Sequence, residues 1–242
     1  MSIHRRELLA TAAWLAVGTV IAHATTIQGA LPWHPNAGHP PTKVRPGPWQ
    51  YFSHDEATAV EAIADRLIPP DPQTPGGRDV GCGVFIDRQL AGPYGSSAGQ
   101  YRSAPFQQGA TSQGPQGEAT PAELYRKALA ALDKYCRGKF GGKDFAHLSD
   151  ADKDSVLHAM DKGEAAFEGT DAKIFFDQVL KDVQQGFFAD PIYGGNRDMV
   201  AWKMIGFPGA RYNYLDWIDR HNQRFPLAPV GIAGSIQWTP RS

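Results

Sequence analysis

Apolar residues return every three or four positions in several stretches of this chain, and most of those stretches open on a residue able to cap a helix. Val60, Ile63, Ala64 and Leu67 share one helical face behind Ser53 and Glu56. That pair spells a capping box, in which hydroxyl and carboxylate each satisfy a backbone N–H of the other, and Pro69-Pro70 stops the pattern. Thr120, Pro121 and Glu123 repeat the logic ahead of Leu124, Ala128, Leu132, Tyr135 and Cys136, with Gly138 as the expected end. Ser149 with Asp152 opens a helix carrying Val156, Leu157 and Met160, and Thr170 opens one carrying Phe175, Phe176, Val179, Leu180 and Val183. A further helix is expected from Asp79 to Leu90. No segment alternates apolar and polar residues between turn signals, so the expected fold class is all-α: a single irregular helical domain with long loops over residues 51–242, without internal repeats.

Ahead of that domain the pattern changes twice. Residues 1–24 read as a twin-arginine export signal: Arg5-Arg6, then Leu8 and Leu9, an apolar run to Ala22, and a small-residue cleavage site ending at Ala24. Two other readings are an ordinary secretory signal and a membrane anchor. The run is short of the roughly 20 apolar residues a spanning helix needs. Residues 25–50 hold six prolines between Pro32 and Pro48 and no helical period, as an extended arm does. His34 and His39 lie in it without the further ligands a metal site requires, and no metal is expected.

Composition narrows function mainly by exclusion. The chain of 242 residues is 42% hydrophobic, enough for one ordinary core, and its formal charge is −1. Losing Arg5, Arg6 and Glu7 with the signal takes that to −2. With no run of Lys or Arg, nucleic-acid binding is not expected. There is no G-x-G-x-x-G after a strand and no C-x-x-C, so no cofactor is expected on this chain. Gly95-Ser96-Ser97-Ala98-Gly99, in the long polar loop from Gly92 to Gly117, matches the hydrolase pattern G-x-S-x-G. It lacks the preceding buried strand, and nothing selects His147, His158 or His221 as a base. Asp150, Asp152, Asp154, Glu164 and Glu168 are expected to be solvated, and no isolated charge sits in a long apolar run as a buried catalytic group would. Cys82 and Cys136 fall on different helices and leave three readings: an internal disulfide, two buried thiols, or a bridge to a partner.

The stretch from Asp190 to Ile218 mixes Tyr193, Trp202, Phe207, Tyr212, Tyr214 and Trp217 with the turn residues Gly194, Gly195, Gly206, Pro208 and Gly209. It reads as the organising stretch of the chain. Rimmed by Arg197, Lys203 and Arg211, such aromatics suit a protein contact as well as a core. Its segment YGGNRDMVAWKMIGFPGARYNY resembles the C-terminal signature of gluconate 2-dehydrogenase subunit 3, with weaker likeness at IADRLIPPD and FIDRQLAGPYG. The resemblance implies a non-catalytic small (gamma) subunit that binds a large FAD-containing subunit oxidising sugars or sugar acids. Tyr193, Gly194, Gly195, Asn196, Arg197, Trp202, Phe207, Pro208, Gly209, Arg211 and Tyr212 are then the candidate partner-binding residues. It further implies that this chain alone carries the signal read by the twin-arginine translocase, and that a multihaem cytochrome c subunit with haem c holds the periplasmic complex at the membrane. The alternatives are a stand-alone periplasmic enzyme and a carbohydrate-binding protein stacking sugars on Trp202, Tyr212 or Trp217.

Overall fold

Side-chain caps set most of the helix starts. In a computed structural model that describes residues 42–45, 47–106, 109–110 and 117–233, Ser53 and Thr120 each close a full capping box, with Glu56 and Glu123. They start α1 (His54–Leu67) and α3 (Pro121–Lys139). The Ser149 hydroxyl accepts from Asp152 N–H to start α4 (Asp150–Asp161). At α5 (Ala172–Phe188) the cap is Asp171, whose carboxylate takes the N–H groups of Lys173 and Ile174, and not Thr170. Two other boundaries move. α2 runs Cys82–Ala91, because Gly81 at φ 89° holds the preceding turn in a left-handed conformation. α3 continues through Gly138 to Lys139, and the chain reverses only at Gly141 and Gly142, both at positive φ. A short α6 (Val200–Ile205) completes the helices, and among the described residues there are no strands beyond one isolated bridge between Gly209 and Val230.

The fold is organised around α5 and not around the stretch that follows it. α5 packs against each of the other five described helices. Its inward face, Phe175, Val179, Asp182, Val183, Gly186 and Phe187, sits at the centre of the core. Tyr125 of α3 meets Phe175 edge to face at 5.3 Å. Gly186 lets α2 approach closely, since a Cβ there would lie 3.0 Å from the Phe85 ring and 3.3 Å from Cys82 Cα. Each large side chain buried this way is worth about 1.5–3 kcal/mol.

Two carboxylates are buried in this core, neither of which the sequence reading singled out. Asp87 on α2 is fully buried and accepts from the N–H groups of Gln50 (2.9 Å), Tyr51 (2.9 Å) and Phe52 (3.0 Å), with Arg88 paired beside it. It fixes the end of the Pro-rich arm, whose Val44 N–H also donates to Ile192 O (2.8 Å). Asp182 on α5 accepts from Tyr94 OH (3.1 Å), Tyr125 OH (2.8 Å) and Gln178 Nε2 (2.9 Å). Both are structural: every donor is a backbone or side-chain group of the chain itself, and charge inside a core is held only by such bonds.

The cysteine pair is not bridged. Cys82 and Cys136 are buried free thiols. Cys82 Sγ, at the start of α2, donates to Val183 O (3.5 Å), whereas Cys136 lies at the far end of α3 beside Asp133 and Asp144. Burial pushes both thiols up to about 12. The expected export signal, residues 1–24, and the expected arm up to residue 41 lie outside the described residues, as does part of the loop after Gly92. No described helix is long and apolar enough to cross a membrane.

Candidate partner interface

Beyond Phe188 the chain turns back onto the end of α5 by contacts that only certain residues permit. The Asp190 carboxylate accepts from Ile192 N–H (2.9 Å) and Ile232 N–H (2.6 Å), closing the segment between them into a strap. Burial raises its pKa, against the pull of those two bonds. At Gly195 a Cβ would lie 2.1 Å from Gly186 O, so only glycine allows that approach to α5. Asn196 is buried, donating through Nδ2 to Ala189 O (2.9 Å) and accepting through Oδ1 from Ala201 N–H (2.9 Å). It therefore ties the end of α5 to the start of α6. Asn196, Asp198 and Met199 all adopt positive φ (43°, 58° and 56°), at a cost of order 1–3 kcal/mol each. That turn leaves Arg197 and Asp198 at the surface.

α6 then splits the aromatic stretch between interior and surface. Trp202 is 6% exposed, with Nε1 donating to Phe188 O (2.9 Å). Phe207 packs edge to face on it at 5.1 Å and is still 42% exposed. Gly209, at φ 80°, lies where a Cβ would be 2.1 Å from Val230 O, and Ala210 N–H donates to that same oxygen (2.6 Å). Arg211 crosses the strap, with Nε to Pro208 O (3.2 Å) and Nη2 to Ala228 O (2.6 Å). Its guanidinium lies 5.1 Å over the Phe225 ring, against which Tyr214 (6.0 Å) and Trp217 (4.9 Å) also pack. Tyr214 OH donates to Gly209 O.

Two clefts open on this strap and share Lys203, Gly206, Arg224 and Phe225. One, about 270 Å³, lies between Trp202–Phe207 and Pro226–Pro229; the other, about 660 Å³, is lined by Met204, Ile205, Tyr214, Trp217 and Arg220 among others. Met204, Ile205, Leu215, Ile218 and Leu227 are each at least half exposed. With Phe207 they make six of the eleven exposed large hydrophobics among the described residues, so exposed apolar surface concentrates here. Concentration, and not single exposed residues, is what marks an interaction surface.

The expected partner-binding residues therefore occupy different positions. Gly195, Asn196, Trp202 and Gly209 are internal; Tyr193, Gly194, Pro208, Arg211 and Tyr212 are half-buried; Arg197 and Phe207 face solvent. Met204, Ile205, Leu215, Ile218, Arg220, Arg224, Phe225 and Leu227 were not anticipated. A signal existed at Met204-Ile205, an apolar doublet at the end of a short helix just before Gly206.

Other candidate chemistry is arranged differently. Ser97 is buried at φ 54° on a turn after α2, and its hydroxyl bonds to no other described residue, so no described base is hydrogen-bonded to it. A cleft of about 440 Å³ between α1 and α3 holds His54, Asp133, Arg137, Asp144 and His147 among apolar residues such as Leu129 and Phe145. Its charged groups pair with one another, Arg137 with Asp133 (2.8 Å) and His147 Nδ1 with Asp144 (2.7 Å). No group of three or more His, Cys, Asp or Glu among the described residues is placed to hold a metal. Asp154 pairs with Arg66 (2.6 Å) and Glu168 with Lys134 at the surface. Trp217 lies under the Arg220 guanidinium (4.7 Å) and at a tilt against Phe225, and it also lines the larger cleft.

The family model described as Gluconate 2-dehydrogenase subunit 3 matches residues 54–209, from the first residue of α1 to the glycine that meets Val230. No curated protein and no solved structure matches the chain.

Proposed function

Because the chain belongs to the gluconate 2-dehydrogenase subunit 3 family, we propose that it is the non-catalytic small subunit of a flavin-dependent dehydrogenase complex. In this reading it binds the large FAD-containing subunit through the face of the strap that carries Phe207 and its exposed apolar neighbours. The observation that carries the interface is that concentration of exposed apolar side chains on a strap pinned at both ends. A pinned strap presents its anchors without the cost of ordering them on binding.

The same reading gives this chain the export signal for both polypeptides, with Arg5 and Arg6 read by the twin-arginine translocase while the folded flavoprotein travels with it. The complex then works in the periplasm, held at the membrane through a cytochrome c subunit whose haem c passes electrons on. Substrate oxidation, of a sugar or sugar acid such as gluconate, belongs to the flavin subunit. The test is affinity purification of the full chain from its native cells, with an absorbance scan for bound flavin. A flavoprotein in stoichiometric amount is the expected result. Purification of the chain alone, or sugar oxidation by the chain alone, overturns the reading.

A further inference from the structure

We propose that the two joined clefts of the strap receive a partner-protein segment whose apolar or aromatic side chains are flanked by carboxylates. The proposal rests on the subunit reading and deepens it, naming the chemistry of the surface that docks. Between Lys203 and Leu227 the chain carries four Lys or Arg against two Asp, a net +2. The whole chain carries −1, so the remainder carries −3, and positive charge is gathered on this strap.

Position sharpens the argument. Lys203, Arg220 and Arg224 line the clefts, while Asp216 and Asp219 line neither. Among the described residues, none of those three cations pairs with a carboxylate. A surface with an apolar floor and an unneutralised cationic rim selects an occupant with the opposite rim, by steering it in and by penalising like charge. Residues 234–242 of this chain include Arg241 and no Asp or Glu, so as a side-chain set they bring the wrong sign. A concave floor also favours inserted side chains over a flat bilayer surface. The Arg220, Arg224 and Phe225 side of the clefts lies beyond residue 209, outside the family match, so the partner chemistry is read from this chain and not from its family.

The probe is a fluorescent peptide with one tryptophan flanked on each side by glutamates, titrated by anisotropy into the full chain at low salt and at about 0.15 M, where screening sets in within about 8 Å. Binding should weaken with salt, and Lys203→Glu with Arg224→Glu should lower affinity about tenfold and flatten the salt dependence. A lysine-flanked control peptide should not bind. The same double variant should lower the salt concentration needed to strip the co-purified flavoprotein from the complex. Salt-independent binding, equal binding of the lysine-flanked peptide, or co-sedimentation with anionic phosphatidylglycerol vesicles in place of peptide binding overturns the proposal. If a flavoprotein co-purifies and the double variant leaves its release unchanged, the subunit reading stands and this inference falls. If none co-purifies, the subunit reading falls, and the peptide titration still decides whether the clefts take acidic segments.

Discussion

Asp182 shows how one residue can set a pH dependence for the core. Burial pushes its carboxyl above the ordinary range, while bonds from Tyr125, Gln178 and Tyr94 pull the other way. A folded-state pKa raised above the unfolded value means that the carboxyl's stabilising contribution is complete below the unfolded value. It is then lost as pH rises through the folded one. Asp182→Asn removes that titration and still offers an oxygen to accept from the tyrosines. The melting temperature of the variant should therefore gain on wild type as pH rises from about 4 to about 7. A difference that stays flat or narrows over that range counts against the assignment. Asp182→Leu is a different experiment, since it strands the buried Tyr125 hydroxyl at about 1–3 kcal/mol and should destabilise at every pH. The residue was legible in part. Phe175, Val179 and Val183 share its helical face, so a carboxylate at 182 stands at a core position. What the pattern could not show is that Tyr94 and Tyr125 converge on it from two other elements.

At the scale of an element, α6 and the strap separate two aromatics that the sequence treats alike. Trp202 fills the space at the end of α5, so Trp202→Ala should cost about 3–5 kcal/mol of folding stability and lower the melt. Phe207 is largely outside the core, so Phe207→Ala should leave the melt within a few degrees and instead weaken flavoprotein binding by about 2 kcal/mol, roughly 30-fold. Paired melts and partner titrations of the two variants decide it. If loss of binding in Phe207→Ala tracks an equal loss of stability, Phe207 is core and not anchor. The same element explains the run of glycines. Gly195 and Gly209 are required by a carbonyl oxygen 2.1 Å from each would-be Cβ, and neither oxygen is near in sequence. Sequence spacing marks such positions as turns. Only the folded chain shows them to be contacts.

For the whole molecule, the helical domain and the proposed export signal belong to separate parts of the chain. The described helices begin at residue 54, and the twin-arginine pair stands far ahead of them. Arg5→Lys with Arg6→Lys should leave folding and partner binding intact. It should also clear both this chain and the flavoprotein from the periplasm, as read by flavin and dehydrogenase activity in fractionated cells. Normal periplasmic activity in that double variant overturns the escort role.

What the sequence determined by itself is local or compositional. Capping pairs such as Ser53–Glu56 and Thr120–Glu123 act within one turn, and the 3.6-residue apolar period acts within one helix, so the all-α class and the starts of α1, α3 and α4 were readable along the chain. The signature from Tyr193 onward pointed to the family, which the match over residues 54–209 then showed. Tertiary structure decided what depends on distant partners. It made α5 the centre through contacts with five helices, and it kept Cys82 and Cys136 apart as free thiols. It satisfied Asp87 with N–H groups more than thirty residues away, and it turned Trp202 inward while leaving Phe207 at the surface. The physical reason is common to all four. Burial and hydrogen-bond satisfaction are properties of the space around a side chain, and that space is filled by residues whose separation along the chain carries no period to read.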